Sequence, residues 1–179
     1  MEFQNLVETR RSVRTFRKNI SISQGEVQEI IKCAQEAPSW KNSQTARYYV
    51  IIDQDRVDEI QRKALPEFNR NSSKNAAALI VTAFEADRSG FERDGNPANE
   101  LGNEWGAYDL GLSNMLLCLK AKEFGYDTLI MGIRDADVLR KELQIPQSQH
   151  IVSVIAVGRG ETGSQRPARK ELGTIVRFF

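Results

Sequence analysis

The sequence predicts an α+β domain of layered α/β type, with a central sheet flanked by helices on both faces. Three observations carry that prediction. Four apolar, β-branched runs of strand length recur at 48–52, 77–84, 128–133 and 151–157. Between them lie segments whose apolar residues repeat at three and four, the spacing of amphipathic helices. At 179 residues the chain suits a single domain over 1–179, long enough to bury roughly 70% of the surface its unfolded form exposes. Helices interposed between strands favour a sheet covered on both sides.

Each element has a local reason. Phe3, Leu6 and Val7 stand at i, i+3 and i+4 and predict a short helix over 2–9. Ser23-Gln24-Gly25-Glu26 has the capping-box form, Ser23 capping while Glu26 reaches back. Val27, Ile30, Ile31 and Ala34 continue that helix over 24–36, and Pro38 closes it. The run from Tyr48 to Ile52 is the first strand. Val57, Ile60 and Ala64 predict a short helix ending near Pro66, and 69–75 is a polar connection. The run 77–84 reads as a buried strand, continuous rather than alternating. Gly90, Gly95 and Pro97 among charges mark 87–99 as a mobile loop, open to two readings, a substrate lid or a tolerated surface insertion.

The longest helical pattern covers 104–124. Trp105, Tyr108, Leu112, Met115, Leu116 and Leu119 recur at three and four and read as core, and Gly125 suits the C′ position. Gly106 and Gly111 inside it each lower helicity by ~1 kcal/mol relative to alanine. Their presence points to close approach by another backbone, with a partner subunit favoured over the same chain. A third strand over 128–133 runs into Gly132. Asp135 then caps a short helix with Val138, Leu139 and Leu143, which Pro146 ends. The fourth strand is 151–157. The tail, 160–179, is basic at Arg166, Arg169 and Lys170 and finishes Thr174-Ile175-Val176-Arg177-Phe178-Phe179. That ending has strand character and pairs either at an edge of its own sheet or across a dimer.

Composition excludes several function classes. With 25 basic and 24 acidic residues, the net charge exerts no general pull on nucleic acid or membrane. No apolar run approaches the ~20 residues of a bilayer span, and no signal-peptide core opens the chain. Cys33 and Cys118 fall on separate predicted helices, so free thiols in a reducing cytoplasm are expected. One histidine, His150, and two distant cysteines do not make a zinc site. Neither a GxGxxG turn nor a P-loop is present.

Against this near-neutral background one stretch is unusual. Arg10, Arg11, Arg14, Arg17 and Lys18 fall within nine positions, and no acid occurs from Thr9 to Gly25. Two readings stand: a solvated basic turn, or a pocket for one phosphate of a small molecule. Val13 and Phe16, interleaved with the cations, suit a half-buried extended segment, and the Ser12 hydroxyl among guanidinium forks suits a phosphate. The second informative stretch is Pro38-Ser39-Trp40-Lys41-Asn42-Ser43-Gln44, a polar loop between a helix and a strand, where ligand contacts concentrate. A chain poor in nucleophiles and metal ligands, yet holding a phosphate pocket, takes its chemistry from a cofactor.

Together Arg10-Arg11-Ser12-Val13-Arg14 and Ala37-Pro38-Ser39-Trp40-Lys41-Asn42-Ser43-Gln44 resemble the flavin-dependent nitroreductase family, and the resemblance covers nearly the whole chain. It implies a central mixed sheet flanked by helices, FMN as cofactor, NADH or NADPH as electron donor, a homodimer with flavin sites at the subunit interface, and ping-pong reduction of a small oxidant such as a nitroaromatic, quinone or activated alkene. Nucleic acid and membrane partners are not implied, and a cytoplasmic location is. By the same resemblance Arg10, Arg11 and Ser12 hold the FMN phosphate, and Arg14 stands near the pyrimidine edge of the flavin. Pro38, Ser39, Trp40 and Asn42 lie on the loop that reaches the flavin from the second subunit. Asn69 sets an amide against the ring, with Ser72 or Lys74 beside it. Met131 and Gly132 form the turn facing the reactive N5, and Arg169 with Arg166 closes on the phosphate. Hydride chemistry belongs to the flavin, so no side chain is catalytic.

The sequence departs from the family pattern at Trp40, where a small hydroxyl residue is common, at Thr45-Ala46 in place of Pro-Trp, and at Pro167 in place of a second cation. Two other functions fit the same features: a flavin-binding protein without reductase turnover, and a specialised relative acting in dehalogenation or flavin breakdown.

Overall fold

The computed structural model describes residues 2–161 and 165–179. Six helices and four strands follow in the order α1 (Phe3–Thr9), α2 (Gln24–Gln35), β1 (Ala46–Ile51), α3 (Gln54–Ala64), α4 (Glu67–Ser73), β2 (Ala78–Glu85), α5 (Glu104–Glu123), β3 (Asp127–Met131), α6 (Ala136–Leu143) and β4 (Gln149–Gly158). The strands form one sheet in the order β1-β2-β4-β3. All three pairings are antiparallel. Among the described residues parallel pairing enters only as the single bridge Ser12–Thr128, so the mixed sheet anticipated above is, within one chain, an antiparallel one with a parallel contact at its edge.

Two cores lie against the two faces, and β2 shows how one strand serves both. Leu79, Val81 and Ala83 point to the side covered by Val57 and Ile60 of α3 and Leu139 of α6. Ala78 and Ile80 point to the side covered by Val27 and Ile30 of α2 and Leu117 and Ala121 of α5. This is the period-2 alternation of a strand buried on both faces.

Local signals explain most helix ends. Ser23 Oγ accepts from Glu26 N at 3.2 Å while Ser23 N donates to Glu26 Oε2 at 2.9 Å, closing the capping box of α2. Asp53 and Asp135 cap α3 and α6 by accepting from Arg56 N and Val138 N. Gly125 adopts φ +83 after α5, as its C′ position requires.

The structure differs from the sequence reading in four places. The polar stretch 69–75 is mostly helix α4, whose Asn69 and Ser73 face inward. The Gln61 amide donates to Ser73 O at 2.7 Å, a polar contact that apolar periodicity cannot reveal. On α5 the buried positions are Gly106, Asp109, Leu110, Ser113, Asn114, Leu117, Cys118, Leu119 and Ala121. Tyr108 and Met115, expected in the core, are exposed, because the helix is apolar all round and its small and polar side turns to the sheet. Gly106 is explained within the chain: a Cβ there would meet the Phe84 ring at 2.3 Å. Among its described residues the tail holds a 3₁₀ turn at Leu172–Thr174 and no strand. Leu172, Ile175, Phe178 and Phe179 are exposed, since no edge of their own sheet receives them; residues 162–164 of the tail lie outside the described residues.

A surface ion network ties α3 to α6. Arg56 bonds Glu59 and lies 2.9 Å from Glu142, and Lys63 lies 2.7 Å from each carboxylate. Lys63 first, then Arg56, hold Glu59 down at about 2 from its ordinary 4.5, and Glu142 is lowered in the same way.

Two predictions follow from these packings. Gly106→Ala gains up to ~1 kcal/mol of helix propensity but forces overpacking worth ~1–3 kcal/mol, so the net change is a lower melting temperature by thermal scan, whereas a rise would refute the Phe84 contact. Glu59 is depressed in the folded state, so its contribution is complete above pH 4.5 and is lost as pH falls toward about 2. Urea unfolding across that window is expected to show a shallower loss of stability in Glu142→Gln than in the parent.

Candidate functional site

The segment 12–17 is laid along the end of the sheet by backbone bonds on both sides. Val13 N donates to Thr128 O at 3.1 Å, Arg17 N to Arg159 O at 2.8 Å, and Glu161 N to Thr15 O at 3.0 Å. Val13 and Phe16 turn inward, 4% and 1% exposed. The polar residues between them consequently turn outward, and α1 delivers Arg10 and Arg11 to the same place.

The result is a depression of about 290 Å³ lined by Arg10, Arg11, Ser12, Arg14, Thr15, Gln165, Pro167 and Arg169. It joins residues more than 150 positions apart. Arg11 spends one guanidinium nitrogen on Glu8 O and Arg10 O, at 2.6 and 2.8 Å. The Nε atoms of Arg10 and Arg11 are buried without any protein partner among the described residues. Buried donors left unpaired are costly, and an anion of phosphate geometry would complete them. Arg166 is exposed and does not line the depression; Gln165 and Pro167 do.

A second group sits at the other end of β3. Met131 is buried, Gly132 is exposed, and the Asn69 amide donates to Ile133 O at 2.8 Å, fastening α4 to the turn after the strand. Strand β3 is five residues long, so roughly 13 Å separates its ends. Ser12 bridges its beginning and Met131 closes it. Ser72 is half-buried and Lys74 exposed on the same helix and its end.

The third group, Pro38, Ser39, Trp40 and Asn42, lies on the loop between α2 and β1. Among the described residues no hydrogen bond joins it to either of the other two groups. Its contacts run instead to α5 and the 86–103 excursion. Trp40 N donates to Asp109 Oδ2 at 2.9 Å, the Trp40 and Trp105 rings lie 4.7 Å apart, and Lys41 pairs with Glu92 at 2.9 Å. Behind the loop is a cleft of about 290 Å³ lined by Ser39, Gln44, Tyr48, Asp109 and Ser113, among others. Burial pushes the Tyr48 hydroxyl up to about 12, with Ser113 acting in the opposite direction.

Asp109 and Ser89 were not foreseen in the sequence. Their one signal is spacing: Asp109, Ser113 and Asn114 are polar at i, i+4 and i+5 in a helix that is otherwise mostly apolar. The excursion is also more anchored than a mobile loop, with Ser89 and Gly90 buried. His150 stacks on Phe84 at 5.2 Å, a packing role. Cys33 and Cys118 are free thiols, and burial pushes Cys118 up.

The family model of the Nitroreductase family matches residues 7–159. The chain belongs to the nitroreductase family.

Among its relatives is the Bacillus subtilis (strain 168) protein MhqN, named for NAD(P)H nitroreductase activity, 25% identical, with 99% of each chain covered. A protein of Archaeoglobus fulgidus, named for NADH dehydrogenase and NAD(P)H nitroreductase activity, is 26% identical over 88% of this chain and 84% of its own. Among solved structures, a protein of Exiguobacterium sibiricum titled as a nitroreductase in complex with FMN superposes with a TM-score of 0.88 at 22% identity, covering 100% of this chain and 98% of the other. CLA-ER, titled an enone reductase of fatty acid biohydrogenation, superposes with a TM-score of 0.86 at 21% identity, with 99% and 97% covered. The fold match thus runs along the length of this chain. No helix among the described residues is long and apolar enough to cross a membrane.

Proposed function

We propose that this nitroreductase-family chain is a homodimeric FMN-dependent oxidoreductase, drawing on NADH or NADPH and reducing a small oxidant such as a nitroaromatic, quinone or activated alkene. The observation that carries the reading is the depression where both ends of the chain meet and two buried guanidinium Nε atoms await an acceptor. Bound FMN supplies hydride acceptance and donation at N5, with donor and oxidant using one site in turn.

The protein's part is binding and electrostatics. Arg10, Arg11, Ser12 and Arg169 hold the phosphate, each charge-assisted contact contributing ~1.5–3 kcal/mol. Arg14 places a cation near the pyrimidine edge, where it favours the negative charge of the reduced state. Asn69, fixed on Ile133 O, and the backbone of Met131 and Gly132 support the ring. The loop bearing Pro38, Ser39, Trp40 and Asn42 comes from the second subunit, in keeping with the lack, among the described residues, of any hydrogen bond from it to the other two groups. Hydride transfer needs only alignment of donor and acceptor, which agrees with the scarcity of acid, base and nucleophile in these groups.

Two surfaces support the dimer. The outward face of α5 presents Tyr108 and Met115 with Gly111 between them, and nothing of the same chain lies within 4 Å of a Cβ at Gly111. The tail exposes Leu172, Ile175, Phe178 and Phe179. Apolar surface of this extent favours burial against a partner.

Freshly purified protein is expected to be yellow, and anaerobic NADH or NADPH to bleach it within seconds; persistent colour would leave a flavin binder without turnover. Arg10→Ala and Arg169→Ala should each lower flavin occupancy at least tenfold in affinity by absorbance titration, and full occupancy in both would refute the phosphate assignment. Removal of 172–179 should shift the sedimentation profile from dimer toward monomer, with unchanged sedimentation excluding a tail contribution.

A further inference from the structure

The 38–45 segment is held in an unfavourable backbone shape. Lys41, Asn42 and Gln44 adopt φ of 46, 54 and 48, the left-handed region that L residues rarely populate. None is glycine. Such a backbone persists only where the surroundings over-determine it, and here the surroundings can be named.

Asp109, 5% exposed on α5, receives two hydrogens on a single oxygen. Trp40 N donates to its Oδ2 at 2.9 Å and Ser89 Oγ donates at 2.5 Å. Having given its hydrogen to Asp109, Ser89 accepts from Ser43 Oγ at 2.7 Å, with Thr45 Oγ1 at 3.4 Å. The contacts at Trp40 and at Ser43 and Thr45 straddle the left-handed residues. Ser39 Oγ closes the loop on itself by accepting from Gln44 N at 3.0 Å.

Ser89 belongs to the 86–103 excursion and is 1% exposed. Gly90 beside it has φ +83, and a Cβ there would meet Gly102 O at 2.4 Å, so only glycine brings the excursion this close to its own return. The excursion also grips from outside through Lys41 and Glu92, but that pair is half-exposed and weak. The buried relay is the stronger tie.

We propose that Asp109, acting through Ser89, is the positioning residue for the 38–45 loop, and that the 86–103 excursion is a buttress for this loop rather than a substrate lid. The proposal rests on the FMN reading for its consequence, that the held loop is the one completing the flavin site across the dimer. Sequence patterns conceal this role, since the three partners are 20 to 69 residues apart.

The test compares the full-length parent with Asp109→Asn, Ser89→Ala and the control Glu92→Gln by amide hydrogen exchange, FMN titration and visible circular dichroism of the bound flavin. Asp109→Asn is expected to speed exchange across 39–45 at least tenfold, leave β2 and β4 protected as in the parent, weaken FMN binding about tenfold and alter the flavin dichroism. Ser89→Ala should move the same readouts in the same direction by a smaller factor, and it decides the matter if Asp109→Asn does not fold. Glu92→Gln should stay within twofold of the parent throughout. Exchange over 39–45 within twofold of the parent in both relay variants overturns the proposal. Loosened exchange with unchanged FMN affinity and dichroism overturns the positioning role. A parent that takes up no FMN sinks the oxidoreductase reading, while the exchange data still decide whether the relay holds the loop.

Discussion

The structure depends on two side chains buried across the end of the sheet. Val13 and Phe16 enter the core between guanidinium-bearing neighbours, and two glycines make room for them. A Cβ at Gly160 would lie 2.9 Å from Val13 Cγ1, and one at Gly158 would lie 2.8 Å from Phe16 Cδ1. Burying a side chain of this kind contributes about 1.5–3 kcal/mol. That is enough to hold an extended segment whose arginines repel one another. The cations converge because the hydrophobic residues between them have nowhere else to go, and Arg10, Arg11, Ser12 and Arg14 inherit their placement from that packing.

How much of this was legible in the sequence depends on the range of the interaction. The capping box at Ser23 and Glu26 is a matter of three residues, and the β2 run of β-branched residues states its burial directly; both are where the pattern places them. The layered fold followed from strands and helices recognised one at a time. Helix α4 escaped because its inward face is Asn69 and Ser73, satisfied by Gln61 and by Ile133 O, and polar burial leaves no hydrophobic period. The orientation of α5 escaped for the opposite reason. With apolar residues on every side, periodicity cannot choose a face, and the sheet took the side where Gly106 admits the Phe84 ring. Of the candidate site, the Arg10 to Arg14 motif was readable as local charge on a neutral chain, while the relay from Asp109 through Ser89 joins residues that no local pattern connects.

The tail and the outward face of α5 share one property, apolar surface without a partner inside the chain. A β-branched and aromatic ending that forms no strand is a local preference unmet by its own fold. Gly111 adds open space on the outward face of α5, since nothing of the chain lies within 4 Å of a Cβ there. The 38–42 loop likewise shares no hydrogen bond with the cations or with Asn69 among the described residues. In the dimer proposed above, covering the apolar surface and completing the flavin site would be one event, tying cofactor binding to assembly.

Charge supplies the last step. Like charges about 7 Å apart in a medium of effective dielectric about 20 repel by about 2 kcal/mol, and several guanidinium groups face one depression here. Part of that repulsion is screened by water around the exposed Arg14 and Arg169, and Arg11 is relieved in part by its Nη1 bonds to Glu8 O and Arg10 O, while the Nε atoms of Arg10 and Arg11 have no partner among the described residues. The burial of Val13 and Phe16 therefore holds cations beside one another that electrostatics alone would part, and the phosphate of the proposed reading would offset that repulsion. A basic turn that were merely solvated would gain nothing from such anchoring, because free arginines spread apart at no cost. The combination of a buried apolar frame with buried Nε donors that have no partner among the described residues is what favours the proposed phosphate reading over a solvated basic turn.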